Sequence, residues 1–93
     1  MSKGGAGGDA VTWFVYILVC ADLSLYTGVT TDLGRRLERH NAGTGAKYTA
    51  ARRPVRLAWS EACPDRSAAQ RREAEIKRMT RREKLALLAA GKT

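Results

Sequence analysis

A small α/β sandwich, built as a three-stranded antiparallel sheet flanked by helices in the order β-β-α-β-α-α, is the fold this sequence predicts. Three observations carry it. Residues 13–20 read WFVYILVC with no polar break, further β-prone runs follow at 25–29 and 55–59, and capping residues open the segments between and after them.

The first run is too short for a buried helix and rich in β-branched and aromatic residues, which fits a strand covered on both faces and therefore central. The polar break Ala21-Asp22-Leu23-Ser24 leads into Leu25-Tyr26-Thr27-Gly28-Val29, so short a connection that the two strands must pair as an antiparallel hairpin. Thr30, Thr31 and Asp32 offer side-chain oxygens for a helix cap, and the segment from Leu33 to about Asn41 ends at Gly43. On that helix Leu33, Leu37 and His40 follow the i, i+4, i+7 spacing, which puts Arg36 and His40 on the packed side and turns Arg35 and Arg39 away. Residues 42–53 have no long apolar period and read as a basic loop or short irregular helix closed by Pro54. Val55, Leu57 and Trp59 alternate with Arg56, Ala58 and Ser60, the period of a third strand with one covered face. Asp65 or Ser67 caps a helix running to about Met79 with Ala69, Ile76 and Met79 as its apolar stripe. Thr80-Arg81-Arg82-Glu83 has the capping-box spacing and starts a last helix through Leu85 and Leu88 to Gly91.

The chain has 93 residues, room for one domain and one modest core. Residues 1–11, Gly-rich and without apolar anchors, are expected to be a flexible tail, leaving 12–93 as the domain. Two distant cysteines, Cys20 and Cys63, and a single histidine indicate neither a disulfide scaffold nor a structural zinc site, and both thiols are expected to be buried. Seventeen basic against nine acidic residues give a net charge of +8, the balance of a protein that meets a polyanion. The longest apolar run is too short to span a bilayer and no secretory leader is present, so no membrane partner and a cytoplasmic location are expected.

The sequence has no phosphate-cradling GxxxxGK[ST], no GxGxxG after a strand, no HExxH and no Cys/His ligand set. Tyrosine, arginine, one histidine and glutamate remain. Phosphodiester hydrolysis needs a base for water, positive charge for the phosphate, and often a cation held by carboxylate oxygen, and these residue types meet that need.

The residues around the two tyrosines carry a resemblance. Val15-Tyr16-Ile17, then Tyr26-Thr27-Gly28, then Asp32 to Asn41, Gly43 to Thr49 and Ala69-Gln70-Arg71-Arg72-Glu73 resemble the GIY-YIG nuclease signature in letters and spacing, over roughly residues 14–88. The resemblance is to the small stand-alone bacterial members. It implies the same three-stranded sandwich, and an endonuclease site made of Tyr16, Tyr26, Arg36 and Glu73 with one divalent cation, Mg²⁺ or Mn²⁺, held by Glu73. By the family pattern a tyrosine helped by a neighbouring base takes the water proton and Arg36 steadies the phosphate. Which tyrosine is the base stays open. Phe14 stands where the leading glycine falls, and Thr27 replaces the isoleucine. Val29 stands where some members carry a lysine; this chain is similar instead to members with a helix histidine, here His40.

Each residue also has a plainer reading. Tyr16 and Tyr26 are what an aromatic hairpin shows when it packs across strands. His40 is a candidate for ordinary packing, and Arg36 for pairing with a surface carboxylate. Glu73 and Glu75 flank the Ala69/Ile76 stripe at nearly equal angular distance, so periodicity does not choose between them; the resemblance selects Glu73. Among the basic residues, Lys47, Arg52, Arg53 and Lys77 are expected to track a nucleic-acid backbone, with Lys77 alternatively pairing with Glu73 one turn before it. DNA is preferred to RNA as the target. A surface this small reads little sequence, so a structure-selective or weakly specific enzyme is expected, with room for a protein partner that supplies specificity. The competing readings are a nucleic-acid-binding module of the same fold that does not cleave, and a general interaction domain.

Overall fold

The computed structural model describes residues 11–91; residues 1–10 of the expected 1–11 tail, and residues 92–93, lie outside the described residues. Strands β1 (Trp13–Val19), β2 (Leu25–Thr30) and β3 (Arg56–Cys63) form one antiparallel sheet in the order β2-β1-β3, with the apolar run of β1 in the middle. Helices α1 (Leu33–Asn41), α2 (Lys47–Ala50), α3 (Arg66–Lys77) and α4 (Arg81–Ala90) complete the chain. The one-turn α2 is the only element beyond the predicted order among the described residues, and it falls in the segment read as a loop or short irregular helix. No helix among the described residues is long and apolar enough to cross a membrane.

Both faces of β1 are covered, as its unbroken apolar composition requires. Val15 and Ile17, both fully buried, join Cys63, Ala69, Ile76 and Leu88 beneath α3 and α4. Tyr16, Leu18 and Cys20 join Val55 and, from α1, Leu33 and Leu37 on the other face. Burying a side chain such as Ile17 or Ile76 is worth ~1.5–3 kcal/mol. Both cysteines are free and buried.

The β1–β2 turn closes without glycine because Leu23 itself takes φ 71, with Leu23 N bonded to Cys20 O and Asp22 Oδ1 accepting from Ser24 N at 3.0 Å. Asp32 caps α1 by accepting from Arg35 N at 3.0 Å. Gly43, at φ +88, ends the helix where only glycine is unstrained, with its N–H on His40 O. Asn41 then clamps β3 to α1, its amide donating to Val55 O at 2.9 Å and its oxygen accepting from Val55 N at 2.7 Å. Asp65 caps α3, and the Thr80/Glu83 capping box opens α4 with both reciprocal bonds formed.

The third strand corrects one expectation. Val55, Leu57 and Trp59 do not share one covered face. Ile17 pairs with Trp59 while the next residue, Leu18, pairs with Leu57, so Ala58 is an extra residue and the pattern slips at this bulge. Val55 therefore packs beside Tyr16, Trp59 beside Val15 and Ile17, and Leu57 is left exposed.

Candidate active site

Tyr16 leaves β1 on the α1 side and is 1% exposed. Its partner across the β1–β2 ladder is Gly28, where a Cβ would stand 2.5 Å from the Tyr16 hydroxyl oxygen, so the ring uses the space an ordinary side chain would fill. From α1, Arg36 and His40 both reach that hydroxyl. Arg36 Nε lies 3.3 Å and His40 Nε2 3.0 Å from it. The other ring nitrogen, His40 Nδ1, is 2.7 Å from Thr49 Oγ1 in α2, and Thr49 Oγ1 donates to Ala46 O at 3.1 Å. His40 and Thr49 are both fully buried.

One direction gives every hydrogen in this chain an acceptor. With the Thr49 hydrogen on the Ala46 carbonyl, the Thr49 oxygen accepts from His40 Nδ1–H. Nε2 then carries the lone pair and accepts the Tyr16 hydroxyl proton, while Arg36, which can only donate, gives Nε–H to the phenol oxygen. The opposite tautomer, with the Thr49 hydrogen on Nδ1, would set both His40 Nε2–H and Arg36 Nε–H on the Tyr16 oxygen and leave the phenol hydrogen without an acceptor. The network is Arg36 → Tyr16 → His40 → Thr49 → Ala46 carbonyl, with the neutral imidazole poised as proton acceptor. Gly45 fits against His40, since a Cβ there would stand 2.5 Å from Nδ1.

Burial raises the Tyr16 phenol above its ordinary pKa of 10.0, opposed by the Arg36 hydrogen bond and charge; the Tyr26 and Glu73 charges raise it further. Burial first, and the Arg36 charge second, push His40 below 6.5. Both groups are thus held neutral at rest.

Tyr26, half-buried on β2, lies beside this network: its ring centroid is 5.2 Å from His40 and 6.5 Å from Tyr16. On its other flank it meets the exposed Tyr48 ring at 6.0 Å. Glu73 comes from α3, which packs against β2 as well as β1, and its charge acts on Tyr16. Tertiary packing makes the two glutamates of α3 unequal. The Glu73 side chain is 22% exposed and pairs with Lys77 at 3.2 Å, whereas Glu75 is exposed and turned to Arg72 at 3.0 Å.

Among the described residues no group of three His, Cys, Asp or Glu stands close enough together to hold a metal. A zinc-type site is therefore not what Glu73 offers. One accessible carboxylate fits a hard cation such as Mg²⁺, which keeps most of its waters and takes a carboxylate plus substrate phosphate oxygens.

The four expected backbone-tracking residues differ in how far the protein itself engages them. Lys47 is exposed at the start of α2, and Lys77 borders a groove with Tyr26, Thr27, Tyr48 and Lys84. Arg52 is occupied within the protein, paired with Asp22 at 3.1 Å and lying 3.9 Å above the Tyr48 ring. Arg53 donates to Ala50 O and Asn41 O, fastening the α2–β3 connection to α1. The sequence reading missed Thr49, Gly28 and Gly45 as supports of the site. All three lie in segments that carry the family resemblance, Gly28 in Tyr26-Thr27-Gly28 and the other two in Gly43 to Thr49, but nothing local marks their roles.

The model of the GIY-YIG catalytic domain family matches residues 12–86. A UPF0213 protein of Haloquadratum walsbyi is 55% identical over 78 residues, covering 84% of this chain and 88% of that protein. Another, from Desulfotalea psychrophila, is 49% identical over 84 residues, covering 89% and 76%. The solution structure of a UPF0213 protein from Bacillus halodurans is 46% identical and superposes with a TM-score of 0.58 over 87% of each chain.

Proposed function

The chain belongs to the GIY-YIG family, a nuclease superfamily, and on that premise we propose that it is a divalent-cation-dependent endonuclease hydrolysing phosphodiester bonds in DNA. The observation that carries the reading is the directional chain from Arg36 through Tyr16 to His40, which lines up a cation, a phenol and a neutral imidazole in one buried network. Tyr16 is the tyrosine that moves the proton. As water attacks phosphorus, its proton passes to the Tyr16 oxygen, the Tyr16 proton passes to His40 Nε2, and the P–O bond to the leaving oxygen breaks. His40 becomes an imidazolium that keeps Nδ1–H on Thr49. Arg36, whose Nε–H holds the phenol oxygen, has its remaining N–H donors for the phosphate. Glu73 is the carboxylate that would hold Mg²⁺ or Mn²⁺, and a cation there supplies positive charge against the charge building on the phosphate. Tyr26 and Tyr48 line the approach.

The test is cleavage of single-stranded, duplex, flapped and branched DNA, and of RNA, in Mg²⁺, Mn²⁺ or EDTA, by wild type, Tyr16→Phe and Glu73→Gln. Metal-dependent cutting by wild type alone is expected. Glu73→Gln should melt close to wild type, because a partly exposed Glu73–Lys77 pair is worth at most about 1 kcal/mol. Cleavage that survives Glu73→Gln would remove Glu73 as the cation's carboxylate, and a wild type that binds DNA and cuts nothing would defeat the nuclease reading in favour of a binding module.

A further inference from the structure

A polar cleft of about 260 Å³ opens beside Arg36, lined by Thr30, Thr31, Asp32, Arg35, Arg36 and Arg39. Its charge is unbalanced. Three guanidinium groups face one carboxylate, and Asp32 Oδ1 is already spent on capping α1 through Arg35 N. Among the described residues none of these three arginines makes an ion pair, although Arg52 and Arg72 elsewhere are paired with Asp22, Glu61 and Glu75. Arg35 and Arg39, one turn apart on the exposed side of α1, repel each other in the free protein. An anion in the cleft removes that repulsion and gains charge-assisted hydrogen bonds from the same groups.

Arg36 belongs to both places, with Nε on the Tyr16 oxygen and its side chain forming a wall of the cleft. A phosphate bound at Arg36 for reaction thus sits at the mouth of a second cationic pocket. We propose that this cleft is a second phosphate site, in which Arg35 and Arg39 hold the backbone phosphodiester neighbouring the one at Arg36. The inference rests on the nuclease reading for which phosphate reacts, and adds where the adjoining strand runs. It makes α1, more than Arg52 and Arg53 with their internal bonds, the element that anchors the strand. Such contacts fix register and orientation and read no sequence.

The experiment measures binding of a fluorescently labelled flapped duplex in EDTA across a salt series, so that no cleavage is needed for the readout. Wild type is compared with the double variant Arg35→Gln/Arg39→Gln, and with Arg56→Gln, an exposed arginine in a separate groove, as the charge control. Helix content and melting are checked for each. Losing one phosphate contact should flatten the plot of log affinity against log salt by about 0.9, which is about eightfold in affinity for each tenfold change in salt. Arg56→Gln should leave the slope at the wild-type value. A double variant with the wild-type slope, or one matched by Arg56→Gln, overturns the second site, as does a wild type that does not bind DNA. Flattening in a protein that proves unable to cut would sink the nuclease reading and leave the cleft standing. Cutting with an unchanged slope would do the reverse.

Discussion

Adding a single methyl group at Gly28 should disable the site without removing any group that does chemistry. The Cβ of Gly28→Ala would stand 2.5 Å from the Tyr16 hydroxyl oxygen, 2.7 Å from Cζ and 3.2 Å from Cε2. Ordinary carbon contacts are ~3.5–4.0 Å, so the two groups overlap by about 1 Å. Neither can easily yield. Gly28 and Tyr16 are paired mid-strand, and the Tyr16 ring is buried between the sheet and α1. The ring must move away from Gly28, taking its hydroxyl off His40 and Arg36. Overpacking together with the broken buried hydrogen bond should cost about 2–4 kcal/mol. For a domain of this size that lowers Tm by about 10–30 °C. Cleavage by the folded fraction, measured well below Tm, should fall by about 100-fold, since a displacement near 1 Å costs that much in a positioned site. Gly34→Ala is the matched control. The nearest atom a Cβ there would meet is Asp32 Oδ1 at 3.8 Å, and in α1 alanine should stabilise by ~0.5–1 kcal/mol. A Gly28→Ala protein that melts within about 2 °C of wild type and cuts as well would refute the account of how Tyr16 is held.

Other outcomes follow from the same network. Because burial and the Arg36 charge lower the His40 pKa, the acceptor stays neutral below pH 6.5, and the acid limb of cleavage should lie below that value. The unfolded chain takes up the His40 proton near pH 6.5 and the folded chain only at lower pH. The contribution to stability is therefore complete above 6.5 and declines as pH falls towards the folded pKa, by about 1.4 kcal/mol per unit. Denaturant midpoints of wild type and His40→Gln across pH 7.5 to 5 check this, equal slopes being the contrary result. Thr49→Val keeps the shape but leaves His40 Nδ1–H buried without an acceptor, which should cost ~1–3 kcal/mol in urea unfolding. Thr49→Ser should restore most of that loss, and a Val variant as stable as wild type would remove Thr49 from the network.

The features read correctly from the sequence were those decided within a few residues. The unbroken run of β1, the Asp32 cap, Gly43 as a helix end and the Thr80/Glu83 box all have local causes, and the structure contains each. The same holds for Arg36 and His40 facing inward, since helical spacing fixes which side chains share a face. The bulge at Ala58 was not legible, because it depends on how β3 pairs with β1 and leaves no mark on the alternation itself. Thr49 was equally hidden. It lies in a four-residue helix with no periodic signal, and its role comes from where α2 meets His40 nine positions back. Glu73 and Glu75 were equivalent by angle on an isolated helix and became distinct once α3 lay against β2.

The direction of the proton path can be read from the chain's one histidine, which gives a single set of imidazole signals. Nitrogen NMR of ¹⁵N-histidine-labelled protein, followed from pH 8 to pH 5, is the measurement. A neutral ring at pH 7 protonated on Nδ1 is expected, with Nε2 an acceptor from Tyr16 and titration displaced below 6.5. An imidazolium at pH 7, or a neutral ring carrying its proton on Nε2, would mean that His40 cannot take the Tyr16 proton, contradicting the mechanism at its centre.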